Sequence, residues 1–347
     1  MRYGVLVGFL IVILIISTVL SVGIGPLQVS AIQSIAILLK PLGIHISSGY
    51  TDQQEIVVTV IRLPRVIFGM FIGATLAMCG TAIQGLFRNP LADPALIGIS
   101  SGAALFTVVM IVLGVHIFQD LFNTLGTYVL SIAAFAGAFL TTILIYRISQ
   151  AGGKTIVSTM LLAGIAISAM AAAGTGVMTL IANDAQLRTI TFWNLGSLGG
   201  ATWVNVGVLV PLCLICIVGL PALSKSLNAL VLGETNASHL GINVESLKTK
   251  VILLTALGIG VCVSMSGIIG FVGLVTPHIV RKIIGPEHRQ VFVASGLLGA
   301  VLLVVADLVC RTVAAPVEIP IGIATSLIGA PFFLYLLLKE RKTQIVF

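Results

Sequence analysis

The chain is poor in charge. Of its 347 residues only 8% are Asp, Glu, Lys or Arg, where a soluble domain carries about 25%. Apolar residues make up 58%, and mean hydropathy is +1.18. A water-facing surface cannot be clothed from that composition, so the chain reads as an all-α polytopic membrane protein. It has no soluble linker and no low-complexity segment, and residues 1–347 read as one transmembrane domain. No window gathers five or six basic residues. The net charge of +7 is therefore no nucleic-acid signature, and lipid is the expected surrounding.

Catalytic constellations are missing as well. The five histidines (His45, His116, His239, His278 and His288) are scattered, with none three or four residues from another. No metal-ligand spacing results, and no metal or cofactor of the chain's own is expected. The five cysteines (Cys79, Cys213, Cys216, Cys262 and Cys310) all sit in apolar runs. Cys213 and Cys216 form a C-x-x-C without a second ligand pair or a βαβ context, so they read as small apolar residues of a buried helix. Gly152-Gly153-Lys154-Thr155 imitates the end of a phosphate loop. Ile148 stands where that motif needs glycine, and no strand precedes it, so the segment reads as a turn and the chain as lacking an ATPase of its own. Asp307 is the best candidate for an intramembrane acid. Arg311 follows four residues later, and no second buried acid is at hand to pass a proton onward. A local ion pair fits better than a relay. An ion-coupled secondary transporter is thus the alternative class, and the absence of an internal repeat gives it no support.

What the chain does have is ten apolar segments: 5–25, 64–87, 95–114, 122–146, 156–182, 191–220, 250–268, 270–284, 291–312 and 319–339. The first is of spanning length with no small-residue cleavage site, so it reads as a retained helix rather than a signal peptide. The eighth is short for a full span and is expected to be tilted, broken or partly re-entrant. An even number puts both ends on one side. If that side is cytoplasmic, thirteen of the 18 Lys and Arg fall inside and five outside, while the acids split five and six. Basic bias without acidic bias is the form of the positive-inside rule. Small residues recur every four positions at Gly69, Gly73 and Ala77, and again at Gly164, Ser168, Ala172 and Gly176. Such stripes let helix backbones approach closely in lipid.

Three polar stretches interrupt the apolar runs. The longest inside loop, 221–250, places Leu223, Leu227, Leu230 and Val231 at helical spacing. Gly233 is the expected stop, and a second short helix over 234–240 is ended by Gly241. It suits either a membrane-surface helix or a docking platform for a cytoplasmic protein. On the outside, Arg62, Arg65 and Arg311 sit at helix mouths, where they suit snorkelling anchors or partners for carboxylates on a soluble protein. "FRNPLADPALIG" (87–98) is a tight inside connection, with Asp93 expected to cap a helix that begins at Pro94.

Four blocks carry a family resemblance: "RLPRVIFGMFIGATLAMCGTAIQGLFRNPLADPALIGISSGAAL" (62–105), "LNALVLGETNASHLGINV" (227–244), "GIIGFVGLVTPHIVRKIIGPEHR" (267–289) and "ADLVCRTVAAPVEIPIGIATSLIGAPFFLYLLL" (306–338). Together they resemble the bacterial permeases for ferric chelates, heme and vitamin B12, the type II ABC importers. The resemblance implies about ten helices per subunit and two copies around a central path. It implies two ATP-binding cassette subunits, carrying ATP and Mg, on the cytoplasmic face, and a periplasmic substrate-binding protein that delivers the cargo across the inner membrane. By motif match, Arg62, Arg65 and Arg311 would meet the binding protein. Leu227, Leu230, Gly233, Glu234, Ala237, Leu240 and Gly241 would form the coupling region. Thr155, Val157, Ser158 and Thr159 would be the cytoplasmic gate, with Gly164 and Ser168 further along the path-lining fifth helix. ATP binding would tilt the helices as rigid bodies, opening one gate and closing the other around a cargo that is not tightly held. "FWNLGSLGGATW" (192–203), expected to open the sixth helix, looks most like the heme-importing branch, with ferric siderophore and cobalamin as the other cargoes. It holds both tryptophans of the chain and suits an interfacial aromatic belt equally.

Overall fold

The computed structural model describes residues 3–44, 46, 49–114, 117–126 and 128–344; Arg2, His45 and His116 lie outside them. Each of the ten apolar segments holds one main helix: α1 (Tyr3–Gly23), α3 (Asp52–Leu86), α4 (Ile99–Gly114), α6 (Tyr128–Ile148), α7 (Val157–Ile181), α9 (Trp203–Ala222), α12 (Val244–Ser266), α13 (Val272–Ile284), α14 (His288–Thr312) and α15 (Ile321–Gln344). Shorter helices intervene: α2 (Ala31–Leu39), α5 (Gln119–Leu125), α8 (Asp184–Leu195), α10 (Ser224–Val231) and α11 (Glu234–His239). Among the described residues seven helices are long and apolar enough to cross a membrane, and an eighth span results if α4 and α5 are one broken element. α13 has 13 residues. At 1.5 Å per residue it is about 20 Å long, short of a hydrocarbon core of about 30 Å.

Three boundaries differ from expectation, each for a local reason. α3 starts twelve residues before the apolar run, because Thr51 and Gln54 form a reciprocal capping box ahead of it. The helix expected at Pro94 is first a 3-10 turn over Pro94–Ile97. Asp93 Oδ1 caps it by accepting the Ala95 N–H at 2.7 Å, and Gly98 at φ 72° turns the chain into α4. The segment 191–220 is two elements. Gly196 (φ 68°) ends α8, and α9 begins at Trp203 after a Thr202 cap, so the aromatic stretch 192–203 is a helix end and a turn rather than a helix start.

α3 is the axis of the bundle, with 78% of its apolar window buried. Its Phe68, Ile72 and Leu76 share one core with Leu209 and Cys213 of α9, Val251 of α12 and Leu303 of α14. The Gly69/Gly73/Ala77 stripe makes this possible. A β-carbon on Gly73 would run into the Gly299 carbonyl of α14, and one on Gly80 into the Gly273 carbonyl of α13. The stripe on α7 behaves differently. Gly164 is buried and Ser168 bonds Ser101 of α4 (Oγ–Oγ 2.9 Å), but Ala172 and Gly176 face outward from this chain. Only Met160, Gly164 and Ala171 of α7 are buried, and Leu180 is 85% exposed. All five cysteines are free and buried. Cys216 Sγ donates to the Leu254 carbonyl at 3.3 Å.

Candidate functional site: the two ends of the permease

At one end of the bundle the three expected arginines are placed, each already bonded to groups of this chain. Arg62 is 4% exposed. Its Nη1 donates to the Val22 and Gly23 carbonyls at 2.7 and 2.8 Å, and its Nη2 donates to Leu27 O at 2.5 Å. It therefore caps the free carbonyls at the end of α1. Arg311 bonds Ser21 Oγ (2.8 Å) and the Ser21 carbonyl on the same helix. Arg65 is held by two carboxylates. Its Nη2 donates to Asp307 Oδ1 at 2.9 Å, and its Nη1 and Nη2 fork donates to Glu318 at 2.9 Å each. Asp307 lies nearer Arg65 than Arg311, whose Nε is 3.6 Å away, so the local i,i+4 pair is widened into a two-helix network. The Arg65 hydrogen bonds hold the Glu318 carboxyl below the usual range, and half of that side chain faces outward.

At the other end the 221–250 connection folds as anticipated from its glycines. Gly233 adopts φ 103°, open to glycine and strained for any other residue, between α10 and α11; Gly241 (φ 80°) follows α11. The expected coupling residues divide by face. Leu227, Leu230 and Ala237 are fully buried and bind the two short helices to the bundle, while Leu240 is exposed beside Val231 and Leu232. The apolar residues left open to a partner are therefore Val231, Leu232 and Leu240, because amphipathic α10 turns its other leucines onto α3 and α14. Asn228 fixes α10 to the start of α14. Its Oδ1 accepts from the His288 backbone N–H at 3.0 Å, and its amide donates to Glu287 Oε1 at 3.0 Å. Glu287 in turn caps α14. Partial burial pushes the Glu287 carboxyl up, but the Arg289, Gln290 and Asn228 N–H groups outweigh it and hold it low.

Gly152 and Gly153, both at positive φ, close a two-stranded hairpin: β1 (Gln150–Ala151) pairs antiparallel with β2 (Lys154–Thr155). Two left-handed residues in a row suit a hairpin turn, which explains the resemblance to a phosphate loop without its chemistry. Thr155 is buried, while Val157 and Thr159 are half-buried and Ser158 is exposed at the start of α7. The hairpin touches the coupling region through a residue that composition alone had counted only as a topology charge. Lys248, near the start of α12, is 1% exposed and donates to the Thr155 carbonyl (2.8 Å), Glu234 Oε2 (2.8 Å) and Glu245 Oε1 (3.0 Å). Glu245 and Lys248, three apart at a helix start, were its only sequence signal.

A mostly buried helix core, a helical platform at one end, a charge cluster at the other and an uncovered apolar helix define a polytopic transport subunit. The chain belongs to the FecCD transport family, which matches residues 13–339. It is a membrane permease of the ABC importer kind, a component that is not itself an ATPase. Over 340 residues it is 41% identical to the hemin transport system permease protein HmuU of Yersinia pestis, covering 98% of this chain and 97% of that one. It is 38% identical to the Fe(3+)-citrate import system permease protein YfmE of Bacillus subtilis, covering 96% and 95%. To the cobalamin import system permease protein BtuC of Halobacterium salinarum it is also 38% identical, covering 85% and 77%. A solved metal-chelate type ABC transporter in an inward-facing conformation superposes with a TM-score of 0.84 at 31% identity, covering 97% of this chain and all of that one.

Proposed function

We propose that two copies of this chain form the path of an ATP-driven importer that carries heme into a bacterial cell across the cytoplasmic membrane, with both termini cytoplasmic. The observation that carries the cargo reading is the 41% identity to a hemin permease along nearly the whole of both chains. The second copy would cover the apolar face of α7, where Leu162, Ile165, Met170, Val177 and Leu180 are exposed. That face is too greasy for an aqueous path wall by itself and too bare for a packed helix, which suits a face shared between a copy and the path. Two ATP-binding cassette subunits, bringing ATP and Mg, would dock on Val231, Leu232 and Leu240. Their motion would reach the gate at Thr155, Val157, Ser158 and Thr159, and then Gly164 and Ser168 along α7. A substrate-binding protein would dock at the opposite end. There Arg65 is the least buried of the three expected arginines, and Arg62 and Arg311 hold α1 beside it.

Cargo is tested in bacteria stripped of their own importers and supplied with this chain and its ATP-binding and substrate-binding subunits. Hemin uptake above ferric citrate and cobalamin uptake supports the reading. A reversed order moves the chain to the iron-citrate or cobalamin cargo, and uptake of none of the three removes the importer reading.

A further inference from the structure

We infer that Lys248 is the positioning residue that ties the coupling helix α11 to the gate hairpin, so that displacement of α11 is delivered to the start of α7; this rests on the importer reading above. An ammonium has three donors, and all three of Lys248 are used, each on a different piece of the apparatus. One goes to Glu234 at the first position of α11. A second goes to the Thr155 backbone carbonyl in β2, and the third to Glu245 on its own helix. The Thr155 N–H is held as well, donating to Glu245 Oε2 at 2.8 Å. Both backbone groups of Thr155, two residues before α7, are therefore bonded to the start of α12, and through Lys248 to α11.

α11 is otherwise held by buried Ala237 and has no other charged anchor among the described residues. It leaves α10 through Gly233, whose φ of 103° breaks the helix and turns the chain rather than continuing it rigidly. α10 itself is anchored elsewhere, on α14 through Asn228. A cleft of 690 Å³ lies between α11 and the hairpin, with Lys154, Glu234, Ser238 and Glu245 on its walls. Lys248 bridges the two elements that bound that cleft, through Glu234 and the Thr155 carbonyl. A buried charge is retained at cost only when its partners are in place, and here the partners belong to the two elements that must move together. Glu234 and Glu245 keep 41% and 33% of their side chains exposed, so both carboxylates can hydrate if the lysine is removed.

The test uses the full chain with its ATP-binding and substrate-binding subunits in vesicles, comparing wild type with Lys248→Met, which keeps the apolar stem. Hemin taken up per ATP hydrolysed is expected to fall about fivefold or more, the lower end of ordinary couplings between sites. In parallel, spin labels at Lys154→Cys and Ser238→Cys report the width of the cleft; the native cysteines are buried. A narrow distance distribution in the otherwise native chain is expected to broaden with Lys248→Met. If Lys248→Met does not fold, Glu234→Gln cuts only the arm to α11, with the same expectations at smaller amplitude. An unchanged uptake-to-hydrolysis ratio with an unchanged distribution overturns the inference, as does a parallel fall of uptake and hydrolysis with the ratio preserved. A wild-type complex without ATP-driven uptake overturns the importer reading instead, and the label distances then decide the Lys248 link alone.

Discussion

Arg65 Nη2 and Asp307 Oδ1 are 2.9 Å apart and join α3 to α14 across 242 residues of sequence. The side chains are 12% and 5% exposed. Removing one member of such a pair leaves the other charge buried, at a cost of about 3 kcal/mol. Asp307→Asn is therefore expected to lower the thermal midpoint of the detergent-purified chain by several degrees. Glu318→Gln, whose carboxylate is half exposed, is expected to lower it far less. Equal losses would mean that the two carboxylates hold Arg65 alike.

Glu318 sets a pH dependence. Its carboxyl is held below the usual range by Arg65. A depressed folded-state value means that its contribution is fully present above the unfolded value of about 4.3 and is lost as pH falls through the folded value. The stability difference between wild type and Glu318→Gln is thus expected to stay flat between pH 5 and 8 and to shrink only in stronger acid. A difference that changed near neutrality would contradict the pairing.

Arg62→Met separates two roles that the sequence left together. A guanidinium that caps α1 through Val22 and Gly23 should, when removed, expose the 24–30 turn to protease and lower stability. Affinity for the substrate-binding protein should change less than with Arg65→Met. Affinity loss without a change in proteolysis would restore the docking role.

Much of this was legible in advance, and the reason is local. Hydropathy runs place helices because a spanning helix must satisfy its backbone internally. The Asp93 cap and the helix stops at Gly233 and Gly241 are written in neighbouring residues. What escaped the sequence is long-range. The direction of the Arg62 side chain depends on the end of α1 standing beside it, forty residues earlier. Lys248 meets Thr155 across 93 residues, with no periodicity to announce it. The faces of α10 and α11 were readable as amphipathic, but which leucines faced inward depended on where α3 and α14 stand.

The two small-residue stripes make opposite predictions. Gly73→Val forces α3 and α14 apart at the Gly299 carbonyl and is expected to cost about 3 kcal/mol or more, seen as loss of folded protein. At Gly176 an added β-carbon meets nothing within 4 Å of this chain. Gly176→Leu should leave the single chain folded and shift the particle from two copies toward one by light scattering. A dimer that tolerates it would place the shared face elsewhere.

The central claim is tested most directly with purified chain, ATP-binding subunit and substrate-binding protein in sealed vesicles. Hemin accumulation would be followed with ATP, with a non-hydrolysable analogue, and with an imposed proton gradient alone. The account predicts accumulation only with hydrolysable ATP and only when all three components are present. Accumulation driven by the proton gradient without the ATP-binding subunit would contradict it and return the chain to the ion-coupled class.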